Sequence, residues 1–241
     1  MFIQNMTSLE LVREYKFDLL EINQNNDRID QAPSTAKLLK KARKRGRVSF
    51  VRRLTTSRGN SYITVYAYVK NDKSTRQTAH WDWKAYSFGL MPTYKGTYVI
   101  SFYDSANVAI KIQPHFFSRY KERLMKVCDW QTKNQLLQAK TLEDIISVYI
   151  RRNPEIIWVN TKSKYRGQEH IFAPINDGVA LIQWDGKNIQ ANTFITEDMC
   201  SEQQNDMTEY ARTTKQFQQE KDKLFQKLVS LMNGEKLDDN K

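Results

Sequence analysis

Residues 98–124 read YVISFYDSANVAIKIQPHFFSRYKERL, and a change of period inside this stretch decides the fold. Tyr98–Ile112 is rich in aromatic and β-branched residues and reads as paired strands, Gly96–Tyr103 and Asn107–Ile112. Pro114 then opens a helix, a position it suits because its missing N–H would be unpaired there anyway. At helical spacing His115, Arg119, Glu122 and Arg123 share one side. Phe116, Phe117, Tyr120, Leu124 and Val127 share the other, so the helix buries an aromatic face.

Towards the N-terminus, Thr7 and Glu10 fit a capping box for a helix over Ser8–Ile22. Leu9, Val12, Phe17 and Leu20 are its expected core face. Gln24–Ser34 reads as a linker, and Thr35–Arg45 as a short basic helix stopped by Gly46. Val48–Thr55 and Ser61–Lys70 read as strands around the turn Ser57-Arg58-Gly59-Asn60. Tyr62, Thr64, Tyr66 and Tyr68 line one face of the second, either to pack cross-strand or to stack bases. Thr78–Gly89 is a third strand, with Trp81 and Trp83 on one face.

Towards the C-terminus, Gln131–Ala139 and Thr141–Arg152 read as helices, the latter capped by Thr141 and Asp144 and stopped at Asn153-Pro154. Strands are expected at Ile156–Asn160, Gln168–Pro174, Gly178–Trp184 and Asn188–Ile195, with Asp177-Gly178 and Asp185-Gly186-Lys187 as turns. A long amphipathic helix over Thr208–Met232 carries Tyr210, Phe217, Leu224, Leu228 and Leu231. It packs on its own domain or meets a protein partner. The predicted class is α+β, antiparallel sheets flanked by helices. The expected parts are 1–34, 35–112, 113–196 and 197–241, with the middle two able to share one core.

The chain has 241 residues and a formal charge of +11. Gln31–Asn71 holds no Asp or Glu, yet eleven Lys and Arg: Lys37, Lys40, Lys41, Arg43, Lys44, Arg45, Arg47, Arg52, Arg53, Arg58 and Lys70. The remainder of the chain therefore balances to zero. Such a concentrated positive field favours a polyanion, RNA before DNA, over a merely solvated surface. The two cysteines, Cys128 and Cys200, suit neither a disulfide framework nor a four-ligand zinc site, and read as buried thiols. Phe2–Leu11 does not read as a secretory signal, and no apolar run approaches about 18 residues, so a cytoplasmic protein is expected.

No nucleotide-binding glycine motif, zinc-protease motif or nucleophile elbow is present. The three histidines, His80, His115 and His170, lack ligand spacing. Neither metal nor cofactor is expected, and Thr196-Glu197-Asp198 reads as an acidic helix start. Metal-independent acid–base chemistry remains. Cleaving RNA through its own 2′-OH needs a base, cationic groups on the phosphate and an acid at the leaving oxygen. His115 can be base or acid, Arg119 and Arg123 can hold phosphate, His170 can supply the second proton carrier, and Thr193 can donate a hydroxyl. The plainer alternatives are a locally bonded helix-start histidine, an ordinary sheet histidine and an Arg119–Glu122 surface pair.

The pattern His115-x-x-x-Arg119-x-x-x-Arg123, a helix ending at Asn153-Pro154-Glu155, and a sheet carrying Tyr165-Arg166-Gly167 and Thr193-Phe194-Ile195 resembles the RelE-like, barnase–EndoU–colicin–RelE group of nucleases and toxins. The resemblance spans Asn107–Thr196 only. It implies a metal-independent ribonuclease with a histidine at the helix start and a late polar residue in the site. A non-catalytic nucleic-acid-binding accessory protein of phage or mobile-element origin, and a structural or assembly protein, are the alternatives.

Overall fold

The structure, a computed structural model, describes residues 1–30, 37, 49–70, 81–103, 108–153, 163–165, 168–202, 204–206, 209 and 213. Its frame is one mostly antiparallel sheet flanked by helices. The strands are β1 (Ser49–Thr55), β2 (Ser61–Lys70), β3 (Trp81–Thr93), β4 (Gly96–Tyr103), β5 (Val108–Ile112), β6 (Ser163–Tyr165), β7 (Gln168–Ile175), β8 (Gly178–Trp184) and β9 (Ile189–Ile195). The helices are α1 (Ser8–Asp30), α2 (Pro114–Val127), α3 (Trp130–Gln138) and α4 (Leu142–Arg152). The sheet order is β1-β2-β3-β4-β5-β9-β8-β7-β6. Every neighbouring pair is antiparallel except β5 and β9, which run parallel.

That single parallel pair follows from the chain path. After β5 the chain leaves the sheet through α2, α3 and α4, then returns in a meander whose last strand closes against β5. The boundary expected at 112/113 therefore falls inside one continuous sheet. One apolar cluster joins Ile63, Val99 and Ile110 to Phe116, Ile146, Ala173 and Phe194, under α2 and α4. On the opposite face a second cluster joins Phe2, Leu11, Val12 and Ile22 to Tyr62, Ile100 and Ala109, under α1. Tyr62 and Ile63, or Val99 and Ile100, thus point to different layers, as alternation along a strand requires.

Three expectations are corrected. First, α1 continues to Asp30 through the segment read as linker. Its inward face is Leu11, Val12, Asp18 and Ile22; Val12 is buried as expected, whereas Leu9, Phe17 and Leu20 are exposed. Asp18 is buried because Asn60 Nδ2 and the Tyr62 hydroxyl donate to its carboxylate at 2.6 and 2.7 Å. A charged residue in the stripe hid the true face. Second, Val127 is exposed at the end of α2, while Phe116, Phe117, Tyr120 and Leu124 are buried as expected. Third, Cys128 and Cys200 are half-buried, and neither forms a disulfide.

Two of the expected face-lining tyrosines of β2 pack. Tyr62 and Tyr66 are buried, and the Tyr66 hydroxyl donates to Asn26 Oδ1 on α1 at 2.6 Å. Tyr66 also stacks on its cross-strand neighbour Phe50. Burial closes both rings to a base. Glu197–Met199 forms a short 3-10 turn. No described helix is long and apolar enough to cross a membrane. The expected helix Thr35–Arg45, apart from Lys37, the strand Ile156–Asn160, and most of the helix Thr208–Met232 lie outside the described residues, as does His80.

Candidate nucleic-acid interface

The strand-to-helix junction at Gln113 organises the candidate site. The Gln113 N–H donates to the Ala191 carbonyl at 3.0 Å, after which α2 begins at Pro114 and β9 runs on without β5 beside it. Gln113 does not cap α2 with its side chain. Its amide instead donates to Gln190 Oε1 at 3.2 Å and to Asn192 Oδ1 at 2.8 Å. Asn192 Nδ2 in turn donates to Gln183 Oε1 at 3.0 Å. A chain of carboxamides thus crosses from the α2 junction over β9 to β8. Carboxamides carry donors and acceptors together, which matches the mixed edges of nucleobases.

His115 and Arg119 are exposed one turn apart at the start of α2. Among the described residues neither ring nor guanidinium has a partner; the Ser118 hydroxyl donates only to the His115 carbonyl. Glu122, the expected surface partner of Arg119, lies 3.9 Å from Lys126 instead. Arg119 therefore keeps its positive charge free for a phosphate.

Arg123 behaves differently. It is half-buried and donates to the Phe194 carbonyl, and to Thr193 Oγ1 at 3.4 Å. Beyond the end of β5 the β9 backbone needs another donor, and Arg123 supplies it. Arg123 and Thr193 are thus brought together, but against each other and the sheet edge. His170 pairs in register with Gln183, which pairs with Gln190, which pairs with Lys111. Three strand spacings, about 14 Å, separate the Lys111 and His170 backbones. The His170 ring lies outside what the structure describes.

The basic segment divides. Lys37 and Arg52 are exposed, with the Arg52 guanidinium 5.6 Å from the centroid of the Phe50 ring. Arg53 pairs with Glu143 on α4, and Arg58 with Glu14 on α1 at 2.8 Å. Those carboxylates neutralise two of the expected contacts and tie β1 and its turn to the helices. Lys40, Lys41, Arg43, Lys44, Arg45 and Arg47 lie outside the described residues. No group of His, Cys, Asp and Glu among the described residues is arranged to hold a metal ion.

Sequence reasoning missed Gln113, Gln183, Gln190 and Asn192. For two of them a signal was present: Gln190 and Asn192 bracket Ala191 in β9, a polar alternation that puts amides on one face. No protein-family model matches the chain, and neither does any curated protein or solved structure.

Proposed function

We propose that this protein binds single-stranded nucleic acid, RNA in preference to DNA, along the start of α2 and the amide chain beside it. The observations that carry this reading are the exposed His115–Arg119 turn, which has no partner among the described residues, and the Gln113 amide just before it in the chain, bonded to Gln190 and Asn192. A cation free of carboxylates binds a phosphate, and adjacent amides read an unstacked base. The acid-free Gln31–Asn71 segment supplies the long-range field that draws a polyanion in.

A second reading, metal-independent cleavage of the bound RNA, rests on His115 alone, because its imidazole is solvent-open one turn from Arg119. In that reading His115 takes the 2′-OH proton while Arg119 holds the phosphate.

Fluorescence anisotropy on short single-stranded RNA and DNA of one sequence tests both. Arg119→Ala is expected to weaken RNA binding and to lower the salt dependence by about one phosphate contact. Wild-type affinity that ignores salt, or is unchanged in Arg119→Ala, overturns the binding reading. In excess EDTA, RNA cleavage lost in His115→Ala with affinity retained supports catalysis. Absence of cleavage by the wild type leaves binding as the function.

A further inference from the structure

On the α1 side of the sheet lies a polar pocket of about 270 Å3. Its walls include Gln4, Asn5, Tyr98, Lys111, Asn188 and Gln190. Lys111 is only 4% exposed. Its ammonium donates to the Gln4 carbonyl at 3.3 Å, to Asn188 Oδ1 at 3.0 Å and to the Met6 carbonyl. All three partners are neutral, and Lys111 forms no ion pair among the described residues. Burial pulls its pKa down, with Asp185 and Glu10 opposing from farther away. A cation is thus held at the wall of a polar pocket by neutral hydrogen-bond acceptors, with no carboxylate in ion-pair contact among the described residues, an arrangement that favours an anion nearby.

The other groups define which anion. Asn188 is occupied, its Nδ2 donating to Asp185 Oδ2 at 3.2 Å. Gln190 Oε1 accepts from Gln113, which leaves its NH2 free to donate. The side-chain amides of Gln4 and Asn5 and the Tyr98 hydroxyl have no partner among the described residues. Three NH2 groups and a phenol can therefore donate inward. A phosphomonoester offers three strong acceptor oxygens and close to two negative charges, more than a carboxylate can. The volume lies just below the ~300 Å3 lower end for small-molecule sites, enough for a phosphate and part of its sugar.

We propose that this pocket is a phosphomonoester subsite. Gln190 lines it and also joins the amide chain, through Gln113, to the His115–Arg119 turn. Resting on the RNA-binding reading, the occupant is then the terminal phosphate of the bound strand.

The test compares a short RNA bearing a 5′- or 3′-phosphate with the same RNA ending in hydroxyls, and adds uridine 5′-monophosphate and inorganic phosphate as free ligands. Asn5→Asp and Gln190→Glu place a negative charge in the pocket at nearly constant size, and thermal melts confirm that each folds. One phosphorylated end is expected to bind at least tenfold tighter than hydroxyl ends, with both variants losing the preference and inorganic phosphate competing for it. Equal binding of phosphorylated and hydroxyl-ended strands overturns the subsite while leaving RNA binding standing. A preference that survives in both variants overturns it as well. If no oligonucleotide binds, the RNA reading fails, and the pocket is judged on uridine 5′-monophosphate alone. A saturable rise in melting temperature that disappears in Asn5→Asp then supports it, and no such rise overturns it.

Discussion

Asp177 shows how one residue can join four elements. Its carboxylate is almost fully buried, 3% exposed, in the turn between β7 and β8. Arg152, at the end of α4, donates to both oxygens at 2.6–3.0 Å. The Tyr120 hydroxyl from α2 donates at 2.6 Å and Asn153 Nδ2 at 2.9 Å. Arg152 also donates to Thr132 in α3 at 2.7 Å. Burial, then the neighbouring carboxylate, pushes the Tyr120 hydroxyl well above its ordinary pKa, so it stays a donor. With its groups mutually bonded, the cluster is a structural joint. Asp177→Ala removes the carboxylate that the half-buried Arg152 shares with Tyr120 and Asn153, and is expected to cost about 1–3 kcal/mol in urea denaturation. A loss below about 1 kcal/mol would show that the joint is dispensable. The sequence marked Asp177-Gly178 as a turn but carried no sign of Arg152, because their meeting depends on how α4 lies over the β7–β8 turn.

At the scale of elements, the helix caps were legible. The Thr7 N–H donates to Glu10 at 2.7 Å, and Thr141 and Asp144 exchange bonds at 3.0 and 3.2 Å. Backbone donation from Thr7 and Thr141 holds both carboxylates below their ordinary pKa. A carboxyl group depressed in the folded state stabilises above its unfolded pKa, and that stability is lost as pH falls through the folded value. Thermal melts of wild type and Asp144→Asn should therefore differ at pH 7, and the gap should narrow as pH falls below the ordinary aspartate range; a gap that does not change with pH would exclude the carboxylate charge as its source. Thr141→Ala is expected to cost about 1 kcal/mol at neutral pH. Of the inward face of α1 only Val12 was legible, since the stripe includes Asp18. Leu11→Ala, at a fully buried position, should cost about 2–5 kcal/mol, whereas Leu20→Ala, at 68% exposure, should stay within about 0.5 kcal/mol. Chemical denaturation of the two variants decides which face is buried.

For the molecule as a whole, charge placement sets the expected behaviour. Because the Gln31–Asn71 segment alone accounts for the +11 charge, RNA binding should weaken roughly tenfold or more between 50 and 200 mM salt. Replacing Lys40, Lys41, Arg43, Lys44 and Arg45 by glutamine should flatten that dependence in an anisotropy titration; an unchanged slope would place the field elsewhere. The sequence by itself determined most of the described strands and helices, two helix caps, the aromatic face of α2 and the exposed His115–Arg119 turn. Each follows from local period, spacing and backbone chemistry. The helical continuation of α1 to Asp30 and the strand Ser163–Tyr165 escaped it. Only the tertiary structure decided that β5 lies beside β9, which merges both halves into one sheet and opens the β9 edge that Arg123 covers. It also decided that Arg53 and Arg58 meet carboxylates, and that Lys111 joins Gln4 and Asn188 around a pocket. Those contacts join residues from about 40 to more than 100 positions apart, and their partners are chosen by the order in which strands close, which no local pattern encodes.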